Sequence, residues 1–384
     1  ALNIKELELT PLPATVISEP VILCSLRCVN GAKQDWDAYE RSWDFQSLPL
    51  LTASSEPTPT LESCYTVWIA QNRDTITEMK HLEEENNRLF IDAYGLGEEL
   101  TPDVPIEQIT LTVNPAYRYG GKLTQEEQWT RFRQDSMEEL VSYAIGCTMG
   151  RYSLDTPGLI YAHSGNEGFD PSKYSIFSSD DDGIVPLTDT EWFEDDACNR
   201  LIEFISVAWD VSNLEDNLTF LADNLSPKKT ESSRETIRRY LCDKFFKDHL
   251  QTYKKRPIYW LFSSGKQKAF QCLVYLHRYN EGTLARMRSE YVISLLGKMG
   301  ARIEALQEDV QAASSTAHRK RLERELVKLQ KQLVELQAFD DKLRHLADMR
   351  IALDLDDGVK VNYGKFGDLL AEVKAVHGKT PEVV

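Results

Sequence analysis

The chain of 384 residues is 42% hydrophobic and 27% charged, the composition of a folded protein with material for two or three cores. Its 44 basic and 61 acidic residues give a formal charge of −17, which excludes coating of nucleic acid or anionic membrane by overall charge, though not a local basic patch. No apolar run of about 18 residues occurs, and acids punctuate the first 25 residues, so a cytoplasmic protein with no membrane partner and no signal peptide is expected.

Seven cysteines, Cys24, Cys28, Cys64, Cys147, Cys198, Cys242 and Cys272, are odd in number and scattered, the pattern of reduced core residues. Cys24 and Cys28 are close, but no His or Cys pair follows to complete a zinc site, and no metal is expected.

Residues 1–59 mix Pro, Gly and Ser without a period and read as a connecting segment or part of a longer chain. Over residues 60–94 the positions Leu61, Cys64, Trp68, Ile76, Met79, Leu82, Leu89 and Phe90 keep mostly helical spacing, with Gly95 placed as a C-cap. Thr124-Gln-Glu-Glu127 is a capping-box pattern ahead of a second helix carrying Trp129, Phe132, Met137, Leu140 and Ile145. Prolines and glycines between Arg151 and Pro186 predict loops and short strands, Leu159-Ile-Tyr-Ala162 among them. Helical spacing returns at residues 192–208, 214–225 and 236–246. Pro257-Ile-Tyr-Trp-Leu-Phe262 has the content of a buried strand, and a helix over about residues 267–279 is expected after it.

Val292, Leu296, Met299, Ile303, Leu306, Val310 and Ala313 form a heptad seam that restarts, after Ser314-Ser-Thr316, at Leu322, Leu326, Leu329, Leu333, Leu336 and Leu343, with one break at Asp340. So short a connection predicts an antiparallel helical hairpin with arms of roughly 30 Å. A dimerisation coiled coil is the alternative, since heptads do not show whether pairing is within or between chains. The fold class expected is mainly α with small β elements (α+β). Its regions are a connecting segment (1–59), a helical region (60–150), a mixed α/β recognition region with acidic then basic halves (151–280), the heptad hairpin (281–350) and a tail (351–384).

No complete catalytic constellation emerges. Asn114-Pro-Ala-Tyr117 is close to the Asn-Pro-Pro-Tyr motif of amino-group methyltransferases, but no strand, Gly-x-Gly turn and helix precede it to hold a methyl donor. Ser263-Ser-Gly-Lys-Gln267 lacks the first glycine and terminal hydroxyl of a Walker loop, and Asp354-Leu-Asp-Asp-Gly358 lacks the spacing of a calcium loop. Asp180-Asp-Asp182 and Glu194-Asp-Asp196 are better read as caps or solvated turns than as a paired metal site.

Charge counted by window is more informative. Residues 165–224 hold 15 acids and 2 bases, whereas residues 228–278 hold 13 bases and 4 acids, interleaved with Tyr240, Tyr253, Tyr259, Trp260 and Tyr275. Lys254, Lys255, Arg256, Lys266 and Lys268 are the leading candidates for phosphate contacts, with Ser263, Ser264, Arg238, Arg239 and Arg278 behind them, and the turn at Ser263-Ser-Gly265 offers backbone N–H groups. An internal reading stands beside this one: the basic window faces the acidic window within the fold.

The run Tyr253-Lys-Lys-Arg-Pro-Ile-Tyr-Trp-Leu-Phe-Ser-Ser-Gly-Lys-Gln-Lys268, with Ser142-Tyr-Ala-Ile-Gly-Cys-Thr-Met-Gly-Arg-Tyr-Ser-Leu154, Trp192-Phe-Glu-Asp-Asp196 and Leu353-Asp-Leu-Asp-Asp-Gly-Val-Lys-Val-Asn-Tyr-Gly-Lys-Phe366, resembles the C-terminal half of the PglX family, adenine-specific DNA methyltransferases of BREX phage-defence systems. The resemblance extends over about residues 35–377. It implies a target-recognition and scaffolding region whose partners are double-stranded DNA, its own N-terminal methyltransferase domain and other BREX proteins. S-adenosylmethionine would serve the parent enzyme, with no cofactor in this chain. A second class of function, a protein-interaction module that docks the methyltransferase half or other defence proteins, is supported by the acidic surface and the heptads.

Overall fold

The chain divides into two units, Ala1–Ser136 and Met137–Val384, and the computed structural model describes residues 18–378 except residue 55. The first 17 residues of the expected connecting segment and the last six of the expected tail lie outside the described residues. In the first unit, α1 (Glu19–Asp37) falls within the stretch expected only to connect. It runs antiparallel to α2 (Leu61–Tyr94): Cys24 Sγ donates to the Leu82 carbonyl at 2.9 Å, and Arg27 pairs with Glu78. The period was hidden because α1 buries so little, only Val21, Cys24 and Asp35, while Ile22, Leu23, Leu26, Val29 and Trp36 remain exposed.

The ends of α2 are as the sequence predicts. Thr60 accepts from Ser63 N at 3.0 Å while Ser63 Oγ accepts from Thr60 N, a reciprocal capping box. Gly95 takes φ 69°, which lets its own N–H and that of Leu96 return to the Asp92 and Ile91 carbonyls. A short helix, α3 (Pro115–Tyr119), precedes α4 (Gln125–Thr148), where Thr124 and Glu127 form the expected capping box. The division between units falls within α4. Asp35 ties α1 to the loop before α3, its buried carboxylate accepting from Thr112 N and Val113 N at 2.6 and 2.9 Å.

The second unit is organised around a three-stranded antiparallel sheet of order β1–β3–β2: β1 (Ile184–Pro186), β2 (Tyr259–Ser263) and β3 (Gln271–Tyr275). Between β1 and β2 lie α5 (Ala197–Ala208), α6 (Leu214–Asp223), α7 (Ser233–Tyr240), a π-helical turn (Leu241–Phe245) and α8 (Phe246–Thr252). β3 occupies the place where a helix over residues 267–279 was expected. Every residue of Gln271–Tyr275 is buried, so both faces are apolar and the period of two is erased; pairing Leu273 with Leu261 and Val185 then satisfies the central backbone. Residues 159–162 form no strand; the strand of that region is β1.

The hairpin forms. After α9 (Thr283–Arg286) and a π-helical segment (Met287–Val292) come α10 (Ile293–Ala312) and α11 (Thr316–Asp348). The ion pairs Arg302–Glu325 and Arg288–Asp340 are nested one inside the other about the Ser314-Ser315 connection, which makes the arms antiparallel. Val292, Met299, Ile303, Leu306, Leu322, Leu329, Leu336 and Leu343 are buried as the seam predicts, whereas Leu296, Val310, Leu326 and Leu333 are only half-buried. Near its base α11 also buries Gln332, Phe339 and Leu346, because there it faces the β2–β3 turn, with Phe339 6.0 Å from the ring of Phe270. The break at Asp340 is a forked bond to Arg288, at 2.7 and 3.0 Å. Beyond it, α12 (Gly358–Gly364) and α13 (Val373–His377) return to the sheet, where Tyr363 and Phe366 pack edge-on against Trp260.

Candidate nucleic-acid interface

The ten residues expected to meet phosphate have different fates. Lys254, Lys255 and Arg256 lie at the end of α8, where Lys254 and Lys255 both adopt left-handed backbone, with φ of 50° and 63°. Lys255 N donates to the Leu250 carbonyl at 2.7 Å and Arg256 N to Tyr253 at 2.9 Å, closing the helix, and Pro257 excludes helical backbone at Arg256. His249 anchors the other side of the corner. Its Nε2 accepts from Ile258 N and Tyr259 N at 3.1 and 3.2 Å, so the ring is neutral and carries its proton on Nδ1. Burial and the nearby charge of Arg151 hold its pKa down to about 3. The three basic side chains are exposed, and none has an ion pair among the described residues.

Lys266 is also exposed and has no ion pair among the described residues, but it lies at the far end of β2 from that corner, about 17 Å away along a five-residue strand. The turn that carries it is already filled by an anion from within the chain. Glu335 of α11 accepts from Ser264 Oγ at 2.8 Å, Gln267 N at 2.7 Å and Ala269 N at 3.3 Å. Gln332 donates to the Gln267 carbonyl at 3.2 Å. Ser263 Oγ accepts from Gly265 N and from the Gln271 amide. The turn's backbone N–H groups are therefore committed within the chain: Ser264 N donates to the Phe270 carbonyl and Gly265 N to Ser263 Oγ, while Gln267 N and Ala269 N hold the carboxylate.

The remaining candidates turn inward. Lys268 bonds Asp243 and the Cys242 carbonyl. Arg239 is forked onto Glu231 at 2.8 and 2.9 Å and donates to the Ser226 carbonyl. Arg238 pairs with Asp196, which is completely buried and also caps α5 through Asn199 N. Burial pushes the Asp196 carboxyl up, and Arg238 opposes that shift. Arg278 is 1% exposed, donates to the Asp180 and Asp181 carbonyls and to Asn166, and lies 3.9 Å from the centroid of Phe169. Arg238 and Arg278 thus follow the internal reading, basic window against acidic window, and the corner at Lys254, Lys255 and Arg256 does not.

The other motifs are structural. Asn114 is buried and caps α3, accepting from Ala116 N at 3.2 Å while its amide donates to the Ile106 and Ile109 carbonyls at 2.7 and 2.8 Å. Asp180 accepts from Gly183 N at 2.6 Å and Asp182 from Ile184 N at 2.8 Å, which makes that cluster a turn. Tyr291 brings the two acidic clusters together by hydrogen-bonding Asp182 and Asp195, each at 3.1 Å. Among the described residues no three His, Cys, Asp or Glu side chains are grouped to hold a metal ion. Asp354 closes a turn through Asp356 N.

Sequence reasoning missed Arg151. Its Nε donates to the Tyr152 hydroxyl at 3.0 Å and Nη1 to the Tyr275 hydroxyl at 3.4 Å, and Tyr253, directly before Lys254, lies within reach of its charge. A single arginine in a loop has no neighbouring basic residue to draw attention to it.

The class defined by this fold and surface is a mainly α protein with a small antiparallel sheet and a cationic corner that has no ion pair among the described residues. No described helix is long and apolar enough to cross a membrane. No family model matches the chain. It is 47% identical over 367 residues to the adenine-specific methyltransferase BrxX of Escherichia coli O9:H4 (strain HS), covering 93% of this chain and 30% of that protein. It is 37% identical over 353 residues to the adenine-specific methyltransferase PglX of Lacticaseibacillus casei (strain Zhang), covering 91% of this chain and 28% of that protein. The chain is homologous to these methyltransferases over nearly all its length and spans less than a third of theirs.

Proposed function

We propose that this chain is the C-terminal DNA target-recognition and scaffolding region of an N6-adenine DNA methyltransferase of a BREX phage-defence system. Methyl transfer from S-adenosylmethionine then belongs to a part of the protein outside this chain. The observation that carries the reading is the corner of Lys254, Lys255 and Arg256, three cations exposed and unpaired within a chain of charge −17. An enzyme that modifies a base must hold the duplex while the base leaves the stack, and phosphate contacts supply that grip. His249 and the closed end of α8 fix the corner's backbone, so less ordering entropy is lost on binding. The hairpin is a stiff arm between the recognition region and other parts of the assembly, in the cytoplasm where phage DNA arrives. Fluorescence anisotropy with a labelled duplex at low ionic strength tests the reading: saturable binding is expected, and a flat titration overturns it.

A second reading, a protein-docking module, is favoured by one observation: Ile22, Leu26, Val29 and Trp36 form an exposed apolar stripe along α1. Its occupant would be the methyltransferase half. Co-purification with that half, lost in Leu26→Glu and Val29→Glu, supports this reading; unchanged co-purification removes it.

A further inference from the structure

Arg151 differs from the other enclosed arginines of the second unit. Arg238 and Arg239 have carboxylates, and Arg278 is held by two carbonyls and an amide oxygen. Arg151 is half-buried and has no acidic partner among the described residues. Its two hydrogen bonds go to phenol oxygens, which orient the guanidinium without neutralising it. Of five N–H donors, three have no acceptor among the described residues.

The surroundings are aromatic. The guanidinium carbon is 5.2 Å from the centroid of Tyr152. Tyr275 is held in place by donating its hydroxyl hydrogen to the Tyr161 carbonyl at 2.8 Å, and its ring is 5.6 Å from Tyr259 and 5.2 Å from His277. His249 stacks against Tyr259 at 4.9 Å and lies 4.7 Å from Tyr253. The Nδ1 atoms of His249 and His277 are buried without a hydrogen-bond partner. Burial first, and then the charge of Arg151, depresses both imidazoles, His277 to about 4. Around this cation stand neutral rings, with no carboxylate paired to it among the described residues.

We propose that Arg151 is a phosphate-binding residue that receives one backbone phosphodiester of the DNA held by the Lys254, Lys255 and Arg256 corner. This rests on the DNA-binding reading given above and names a specific contact within it. A planar guanidinium with unused N–H groups on both Nη atoms can meet the two non-bridging oxygens of a phosphodiester, and enclosure strengthens the pairing beyond that of an exposed lysine. Tyr253 joins the two features in the chain: it lies beside His249, within reach of Arg151, and leads directly into Lys254.

Two measurements test this separately from the broader reading. In duplex binding, Arg151→Gln is expected to lower the slope of log affinity against log salt by about one. In NMR titrations with dimethyl phosphate as the probe, the His277 and His249 ring signals of the wild-type chain are expected to shift and saturate, and the shift is expected to vanish in Arg151→Gln. If the slope is unchanged in Arg151→Gln but falls in Lys254→Ala/Lys255→Ala, the Arg151 assignment is overturned and the DNA reading stands. If neither variant changes the slope, both are overturned. Should Arg151→Gln fail to fold, the wild-type titration carries the test, and no saturable shift at either histidine overturns the assignment.

Discussion

The carboxylate of Glu335 accepts a 2.8 Å hydrogen bond from Ser264 Oγ across 71 residues of chain, and with Gln267 N and Ala269 N it occupies the β2–β3 turn. An anion-binding turn lies where the sequence suggests one, but its anion comes from the hairpin. A Cβ at Gly265, where φ is 137°, would lie 2.9 Å from Glu335 Oε2, so the residue that suggested a phosphate loop makes room for this contact. Glu335→Ala is expected to cost about 1–3 kcal/mol, read as a lower Tm, and to leave the salt dependence of DNA binding unchanged. A lower salt slope in this variant would return the turn to the phosphate-binding surface.

Arg238 and Asp196 are a buried pair, and removing one partner strands the other. Arg238→Ala is expected to destabilise the fold by about 3–5 kcal/mol. The loss should be greater at neutral than at acidic pH, because without Arg238 the Asp196 carboxyl titrates still higher and its ionised form is disfavoured. Chemical denaturation at two pH values checks this. Equal losses at both would mean that Asp196 is not buried with Arg238 as its counter-charge.

Local signals in the sequence were reliable where a single element decides the structure. Thr60, Ser63, Gly95, Thr124 and Glu127 mark helix ends through their own hydrogen bonds, and the hairpin follows from a heptad pattern and three small polar residues. Signals failed where tertiary surroundings decide. β3 is buried on both faces and has no period to read, and α1 exposes the apolar residues that periodicity would place inside. The candidate site divided for the same reason. Charge counting identifies Lys254 and Arg238 alike, and only the fold shows that Asp196 holds one of them.

Stability against pH has two opposed contributions. The folded-state pKa of His249 lies near 3, below the ordinary value of about 6.5, so its contribution is complete above that value and is lost as pH falls through the interval. Asp180 is shifted upward by burial and then by Asp182, so its contribution is present at low pH and is lost as pH rises through its raised value. Asp180→Asn, which keeps an oxygen for Gly183 N, is expected to flatten the decline toward neutral pH. His249→Ala should lower stability overall while flattening the acid limb. Thermal melts across pH 3 to 9 check both, and a variant profile parallel to wild type would mean that the group concerned does not set the pH dependence of stability.

Asn114 satisfies two carbonyls and one N–H in the first unit. Asn114→Ala is expected to cost about 1–3 kcal/mol and to leave DNA affinity unchanged once the protein is folded. Lost binding in a folded Asn114→Ala variant would restore the motif to a functional role.

The most direct test of the central claim is the salt dependence of duplex binding by wild type and by the triple variant Lys254→Ala/Lys255→Ala/Arg256→Ala. If all three hold phosphates, the slope of log affinity against log salt falls by about three, while the melting temperature stays close to wild type because the side chains are exposed and unpaired. An unchanged slope in a folded triple variant would contradict the assignment of this corner as the DNA grip.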